Sequence, residues 1–385
     1  MELTSVLKDI NKKFGETLLQ TGVDRKSRSL FSLGSPGLDF CTYNSIPEGI
    51  FIELSGAEGS GKTLLSFLIA SDFCKKEKKK PADERRSILF VDCEGTCDPD
   101  WAYASTGYDM NSNEIKTIYF TPLGQSAEQI LDIVRECVQS GQVGLVIFDS
   151  LTAMASQQVA GESMEKKDMG TIAKVLADFI RRNTGLFMRY KTTFIGINGI
   201  IMNIGGYGNP ETTGGGTYWK RACSLRLKVR RGSYFDDDGN ELKSTAENPA
   251  GHIVETALLK SKFCRSDRKL GMCHLHYRKG IDLIWDTIDV ATYVGLIDNS
   301  TQGIYKVLDP DTKQVKLDKD GNEVKIRGKK NIKPYFEEHL DEYKKLYDKV
   351  YEIISKKEDP NILSFEKMLN LNLQERFGIT DDDEE

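Results

Sequence analysis

The chain lacks any long apolar run. The longest, such as Val143 to Phe148, fall far short of the roughly 20 residues that a membrane-spanning helix needs, so none is expected. Its N-terminus lacks the basic flank and continuous apolar stretch of a secretory leader. Regular cysteine spacing is missing too, and eight cysteines in 385 residues fit free thiols in a reducing cytoplasm. Over most of its length the chain also lacks net charge. The sum of 53 Lys and Arg against 58 Asp and Glu is −5, but Asp381 to Glu385 are all acidic and the other residues carry 53 of each sign. That excludes a uniformly polybasic nucleic-acid coat, so any binding to a polyanion must come from local placement of charge. There is no internal repeat.

What is present is a globular composition, 39% hydrophobic and 29% charged, at a length that allows about two or three domains. Leu3, Val6, Leu7, Ile10 and Phe14 recur at helical spacing near the N-terminus, on a segment too small to fold alone that needs a neighbour to pack on. From about residue 31 to 280, short apolar strands alternate with helices. The strands are Phe51 to Leu54, Ile88 to Val91, Ile118 to Phe120, Leu145 to Phe148, Thr193 to Ile197, Leu225 to Val229, Val254 to Leu259 and Cys273 to Tyr277. The helices are Leu64 to Lys75, Ala127 to Gln139 and Thr171 to Tyr190. This alternation predicts an α/β fold with a mainly parallel sheet, helices on both faces and an antiparallel extension. Beyond residue 281 the pattern changes to a helix at Asp286 to Val294 and a hairpin of Tyr305 to Val307 with Gln314 to Leu317. Helices follow at Pro334 to Lys356 and Ser364 to Leu371, and then the acidic tail. The expected divisions are therefore 1–33, 34–280, a small α+β domain at 281–380 and the tail at 381–385.

The sharpest local signal is Gly56-Ala57-Glu58-Gly59-Ser60-Gly61-Lys62-Thr63, a P-loop between a strand and a helix. Its backbone N–H groups would curl round phosphates at a helix N-terminus, with Lys62 neutralising β- and γ-phosphate charge and Thr63 ligating Mg²⁺. Asp149, closing the strand Leu145 to Phe148, reads as the second anchor of that metal. Glu94 is the candidate for orienting or deprotonating the attacking water, against the alternative of a solvated loop carboxylate. Cys93 and Cys97, His274 and His276, and the run Lys75 to Lys80 read as half-buried thiols, packing residues and a helix end.

Further segments join this set: Ile10-Asn11-Lys12-Lys13-Phe14-Gly15, Gly34-Ser35-Pro36-Gly37-Leu38-Asp39, Phe90-Val91-Asp92-Cys93-Glu94-Gly95-Thr96-Cys97-Asp98-Pro99, Asp149-Ser150, and Gly208-Asn209-Pro210-Glu211-Thr212-Thr213-Gly214-Gly215-Gly216. With them the chain, over roughly residues 5 to 295, resembles the RecA recombinase family of ATP-dependent strand-exchange proteins. The resemblance implies a RecA-like P-loop NTPase core, ATP and Mg²⁺, DNA-dependent ATP hydrolysis, helical filaments on single-stranded DNA, and pairing with homologous duplex DNA. It also implies a single-strand-binding protein or loader as partner, a cytoplasmic, nucleoid-associated location, and no membrane. By position it makes Glu94 catalytic, sets Asp98 and Trp101 against adenine, and sends Lys260 and Lys262 to the γ-phosphate of an adjacent protomer. For DNA it points to Met169, Lys174 and Arg181 in and after a first loop. In a second loop it points to Ile204 as a wedge between bases and to Asn209, Thr212, Thr213, Gly214 and Gly215. Arg226, with Lys228, Arg230 and Arg231, reads either as a basic face for a second DNA molecule or as a charged edge strand.

Three departures stand out. Gly199 replaces a glutamine that links nucleotide state to DNA affinity in the family, with Asn198 the nearest substitute. Ile201 and Asn203 replace basic residues, which predicts a shallower salt dependence. Arg221 replaces an aromatic that packs between protomers. These departures fit a phage-borne or mobile-element copy. A ring-forming RecA-core helicase and a non-catalytic, filament-forming DNA-protecting protein are the alternative readings. The acidic tail is expected to oppose duplex binding.

Overall fold

A computed structural model describes residues 3–14, 28–154, 169–202, 211–309, 312–318, 320–356 and 372–378. In chain order its elements are α1 Leu3–Phe14, β1 Leu30–Phe31, α2 Pro36–Thr42, β2 Ile46–Pro47, β3 Phe51–Gly56, α3 Lys62–Glu77, β4 Ser87–Asp92, α4 Pro99–Thr106, β5 Thr117–Phe120, α5 Ala127–Gln139, β6 Val143–Asp149, α6 Met169–Tyr190, β7 Thr193–Met202, β8 Glu211–Thr213, α7 Gly216–Ala222, β9 Leu225–Phe235, β10 Glu241–Leu242, β11 Gly251–Ser261, β12 Leu270–His276, β13 Gly280–Ile281, α8 Leu283–Tyr293, β14 Ile297–Asp298, β15 Ile304–Val307, β16 Lys325–Arg327, α9 Lys329–Glu338, α10 Leu340–Ile354 and α11 Leu373–Phe377.

One sheet dominates, in the order β13-β12-β11-β9-β3-β7-β6-β4-β5. From β9 to β5 every pairing is parallel, while β9, β11, β12 and β13 pair antiparallel. This is the mainly parallel sheet with an antiparallel extension that the alternation predicts. Strand side chains alternate between two cores, as a period of two requires. Ile52, Leu54, Leu145, Ile147, Ile195 and Ile197 face α3, whereas Phe51, Val146, Phe148 and Phe194 face α5 and α6. Helix starts follow capping chemistry. The Ser126 hydroxyl and the Gln129 side chain form a capping box on α5, and Asp98 with Pro99 opens α4.

A third core gathers α8, α9, α10 and Phe377 against Phe40, Ala257, Leu259 and Leu270. Here the structure corrects the long helix expected at Pro334 to Lys356. The helix starts earlier, at Lys329, keeps Pro334 inside α9, and breaks at His339, where φ is −117° and ψ is 60°. Ile332, Phe336, Leu346, Val350 and Ile354, all buried, fall within about 80° of one another at ~100° per residue, so the apolar face runs in phase across the break and the sequence pattern reads as one helix. The second hairpin strand, Gln314 to Leu317, is reduced to isolated bridges Leu308↔Val315 and Leu317↔Glu323, and β15 pairs instead with β14 and β16. The helix expected at Ser364 to Leu371 lies outside the described residues. No helix among the described residues is long and apolar enough to cross a membrane.

Candidate nucleotide site and its surroundings

Strand β3 ends at Gly56, where a Cβ would sit 2.2 Å from the Val229 carbonyl oxygen, so only glycine lets β3 approach β9 there. Gly59 and Gly61 take φ of +66° and +101°, curling the chain into the start of α3. Lys62 Nζ reaches back to the Ala57 carbonyl at 2.8 Å. Burial lowers its pKa, against the pull of Asp149, Glu94 and Glu58. Thr63 Oγ1 donates to Asp149 Oδ2 at 2.7 Å. Asp149 is pushed up to about 6, first by burial and further by Glu94 and Asp92, with the Thr63 hydrogen bond and Lys62 opposing. A hydroxyl beside a buried, repelled carboxylate is a donor set that a hard divalent cation relieves, so Thr63 and Asp149 fit Mg²⁺.

Glu94 follows β4. Asp92 shapes its loop, accepting at Oδ1 from the N–H groups of Glu94 and Gly95 and at Oδ2 from Cys97 N–H and the Tyr119 hydroxyl. Ser150 Oγ donates to Glu94 Oε1 at 2.6 Å. Ala57, Glu58, Gly59, Lys62, Thr63, Glu94, Asp149, Ser150, Gly199 and Ile200 line one cavity of ≈ 620 Å³. The structure thus brings together the P-loop, the Thr63–Asp149 pair and Glu94. Ser60 also belongs to the loop, and its hydroxyl is buried with no hydrogen-bond partner among the described residues. Asp98 Oδ1 is taken up capping α4 through Asp100 and Trp101 N–H, and Trp101 keeps a half-open ring. Burial pushes the Cys93 and Cys97 thiols up to about 12, away from metal-ligand chemistry.

Lys260 and Lys262 do not line their own chain's cavity. Lys260 Nζ donates to the Lys220 and Arg221 carbonyls at 2.9 and 3.1 Å, and Lys262 Nζ donates to Arg221 at 2.8 Å, so both cations hold the C-terminal end of α7. Lys260 is held below the usual lysine range by burial and by Lys262 beside it.

Among the DNA-contact candidates, Lys174 and Arg181 are exposed on α6, which begins at Met169. Arg181 pairs with Asp178 at 2.9 Å and lies 4.7 Å from the Tyr218 ring centroid. Thr212 and Thr213 lie on β8, Gly214 and Gly215 follow it, and Ile204 and Asn209 fall outside the described residues. Arg226 is a correction. It is 3% exposed, and its Nε donates to Glu53 Oε2 at 2.6 Å in the sheet interior, so it presents no basic face to DNA. Lys228 is likewise buried, with Nζ 3.5 Å from the Gly378 carbonyl, while Arg230 Nη1 donates to Arg376 O and Arg231 Nη2 to Gly59 O.

Glu53 is the residue that sequence reasoning missed. Its Oε1 accepts from Asn198 Nδ2, Thr213 Oγ1 and Trp219 Nε1 at 2.7, 3.1 and 3.0 Å. The signal was available, because a carboxylate in the apolar run Phe51-Ile52-Glu53-Leu54 has to find buried donors.

A family profile described as the RecA N-terminal domain matches residues 1–282. A protein named RecA from Campylobacter hominis is 31% identical over 304 residues, covering 77% of this chain and 80% of that relative. RecA from Mycoplasma mobile is 29% identical over 367 residues, covering 94% of this chain and 99% of the relative. The parallel sheet with its P-loop at the end of β3, and a match spanning most of the chain, make this protein a member of the RecA family of recombinases.

Proposed function

We propose that the protein binds and hydrolyses ATP with Mg²⁺, forms filaments on single-stranded DNA, and uses them to pair that strand with homologous duplex DNA. The observation that carries this reading is the convergence of Lys62, the Thr63–Asp149 pair and the Glu94–Ser150 pair in one cavity. Thr63 and Asp149 would hold Mg²⁺, which supplies charge neutralisation on the phosphates. Lys62 leaves the Ala57 carbonyl for the phosphates, and Glu94, held by Ser150, orients the attacking water and accepts its proton.

The wider assembly follows the same reading. Residues 1–33 form an oligomerisation segment, because Val6, Leu7 and Ile10 of α1 are only half buried and Leu3 is 72% exposed. Residues 34–280 are the ATPase core, 281–380 a C-terminal domain and 381–385 an acidic tail that opposes duplex binding, in a cytoplasmic, nucleoid-associated protein served by a loader or single-strand-binding protein. Lys174 and Arg181 on α6 and the β7–β8 hairpin are the DNA-facing elements.

Purified protein mixed with single-stranded DNA, homologous duplex and ATP should form joint molecules and release phosphate faster than without DNA. Lys62→Ala should abolish both, by removing phosphate neutralisation. Absence of joint molecules and of DNA stimulation in the unsubstituted protein would refute the reading.

A further inference from the structure

The cavity side of Glu94 and the base of the β7–β8 hairpin meet at one side chain, Thr152. It lies in a short 3₁₀ turn, Leu151–Ala153, directly after Asp149 and Ser150. The Ser150 hydroxyl has one proton and gives it to Glu94 Oε1 at 2.6 Å. Its 3.0 Å contact with Thr152 Oγ1 therefore has Thr152 as the donor. The two hydroxyls form a directed chain that ends on the carboxylate.

The other side of Thr152 faces the hairpin. Ile200 pairs with Thr213 in the antiparallel register, which sets Gly199 and Gly214 opposite each other one step below. A Cβ on Gly199 would lie 3.7 Å from Thr152 Oγ1, and a Cβ on Gly214 would lie 2.7 Å from Thr152 Cγ2. Two residues without side chains thus leave room for one threonine, with its hydroxyl towards one strand and its methyl against the other. The base behaves as a unit, since Asn198 Nδ2 donates to Gly214 O at 3.2 Å, and both Asn198 and Thr213 donate to Glu53 Oε1. A shift of the hairpin must carry Thr152 with it or break its packing on Gly214.

We propose that Thr152 is a positioning residue: through its hydrogen bond to Ser150, the base of the β7–β8 hairpin sets the orientation of Glu94. This rests on the reading that the hairpin carries a DNA-contacting loop and that Glu94 directs the attacking water. Thr152 is exposed, so substitution there costs the fold little.

The test measures the ratio of phosphate release with and without single-stranded oligo(dT). Thr152→Val, isosteric but without the hydroxyl, should lower that ratio about tenfold or more, while Thr152→Ser keeps it within about twofold. Gly214→Ala should lower it by driving a Cβ into the Thr152 methyl, and adding Thr152→Ser, which lacks that methyl, should restore it. A Thr152→Val ratio equal to that of the unsubstituted protein overturns the proposal, as do equal losses in Val and Ser or a Gly214→Ala defect that Thr152→Ser leaves in place. If the unsubstituted protein shows no DNA stimulation, the failure belongs to the underlying reading and not to Thr152.

Discussion

At the scale of single residues, a buried charge exposes what the fold is built to hold. Glu53 is fully buried on the central strand β3, where an ionised carboxylate is tolerable only if its lone pairs are filled. Asn198, Thr213 and Trp219 fill one oxygen, and Arg226 supplies the opposite charge at the other. The four donors come from β7, β8, α7 and β9, so this one acid ties the hairpin and the α7 turn to the strand that carries the P-loop. Removing the cation would leave Glu53 uncompensated. Arg226→Met should destabilise the protein by about 3–5 kcal/mol, read as a lower denaturation midpoint. If Arg226 instead served DNA, the same substitution would leave the midpoint in place and flatten the salt dependence of DNA binding. Those two outcomes separate the buried position from the surface role that its neighbours Arg230 and Arg231 invite.

At the scale of elements, legibility followed distance along the chain. The P-loop and the helix α5 could be read because their determinants lie within a few consecutive residues. The break at His339, across which the apolar face stays in phase, and the Glu53–Arg226 pair are features that local periodicity does not register. The same is true of a second junction, where Ser35 caps α2 and donates to Asp286 Oδ2 at 2.6 Å, while His274 on β12 meets Asp286 Oδ1 at 2.9 Å. Asp289 lies 3.8 Å from the other ring nitrogen, and Asp282 adds to the field. His274-x-His276 therefore serves packing: burial alone would lower the His274 pKa, but Asp286, Asp289 and Asp282 hold it above the ordinary value of 6.5. The folded protein keeps a proton that the unfolded chain has released. Its stabilisation is full below pH 6.5 and is lost as pH rises through the folded value. Asp286, raised by burial, has an effect of the same sign, since ionising it as pH rises also costs the fold. The denaturation midpoint should fall as pH rises above 6.5, and His274→Gln should flatten that slope. A slope unchanged in His274→Gln would assign the dependence to other groups.

At the scale of the whole molecule, the balanced charge of the body means that positive charge must act by placement, and Lys260 with Lys262 is the sharpest case. Two ammonium groups share the Arg221 carbonyl at the end of α7, outside their own chain's nucleotide cavity. Burial and mutual repulsion lower the Lys260 pKa, so an anion brought from outside is a better partner than the carbonyls it now holds. If these lysines act across the interface of a head-to-tail assembly, each interface would join one subunit's P-loop to the next subunit's lysines. Lys62→Ala subunits keep the lysines but lose nucleotide, and Lys260→Ala/Lys262→Ala subunits keep nucleotide but lose the lysines. Each should be inactive alone. A one-to-one mixture on single-stranded DNA places an intact P-loop against intact lysines at about a quarter of its interfaces, and phosphate release should recover to about that fraction of the unsubstituted rate. If the lysines serve only to cap α7 within their own chain, no mixed interface contains a working subunit and the mixture stays silent.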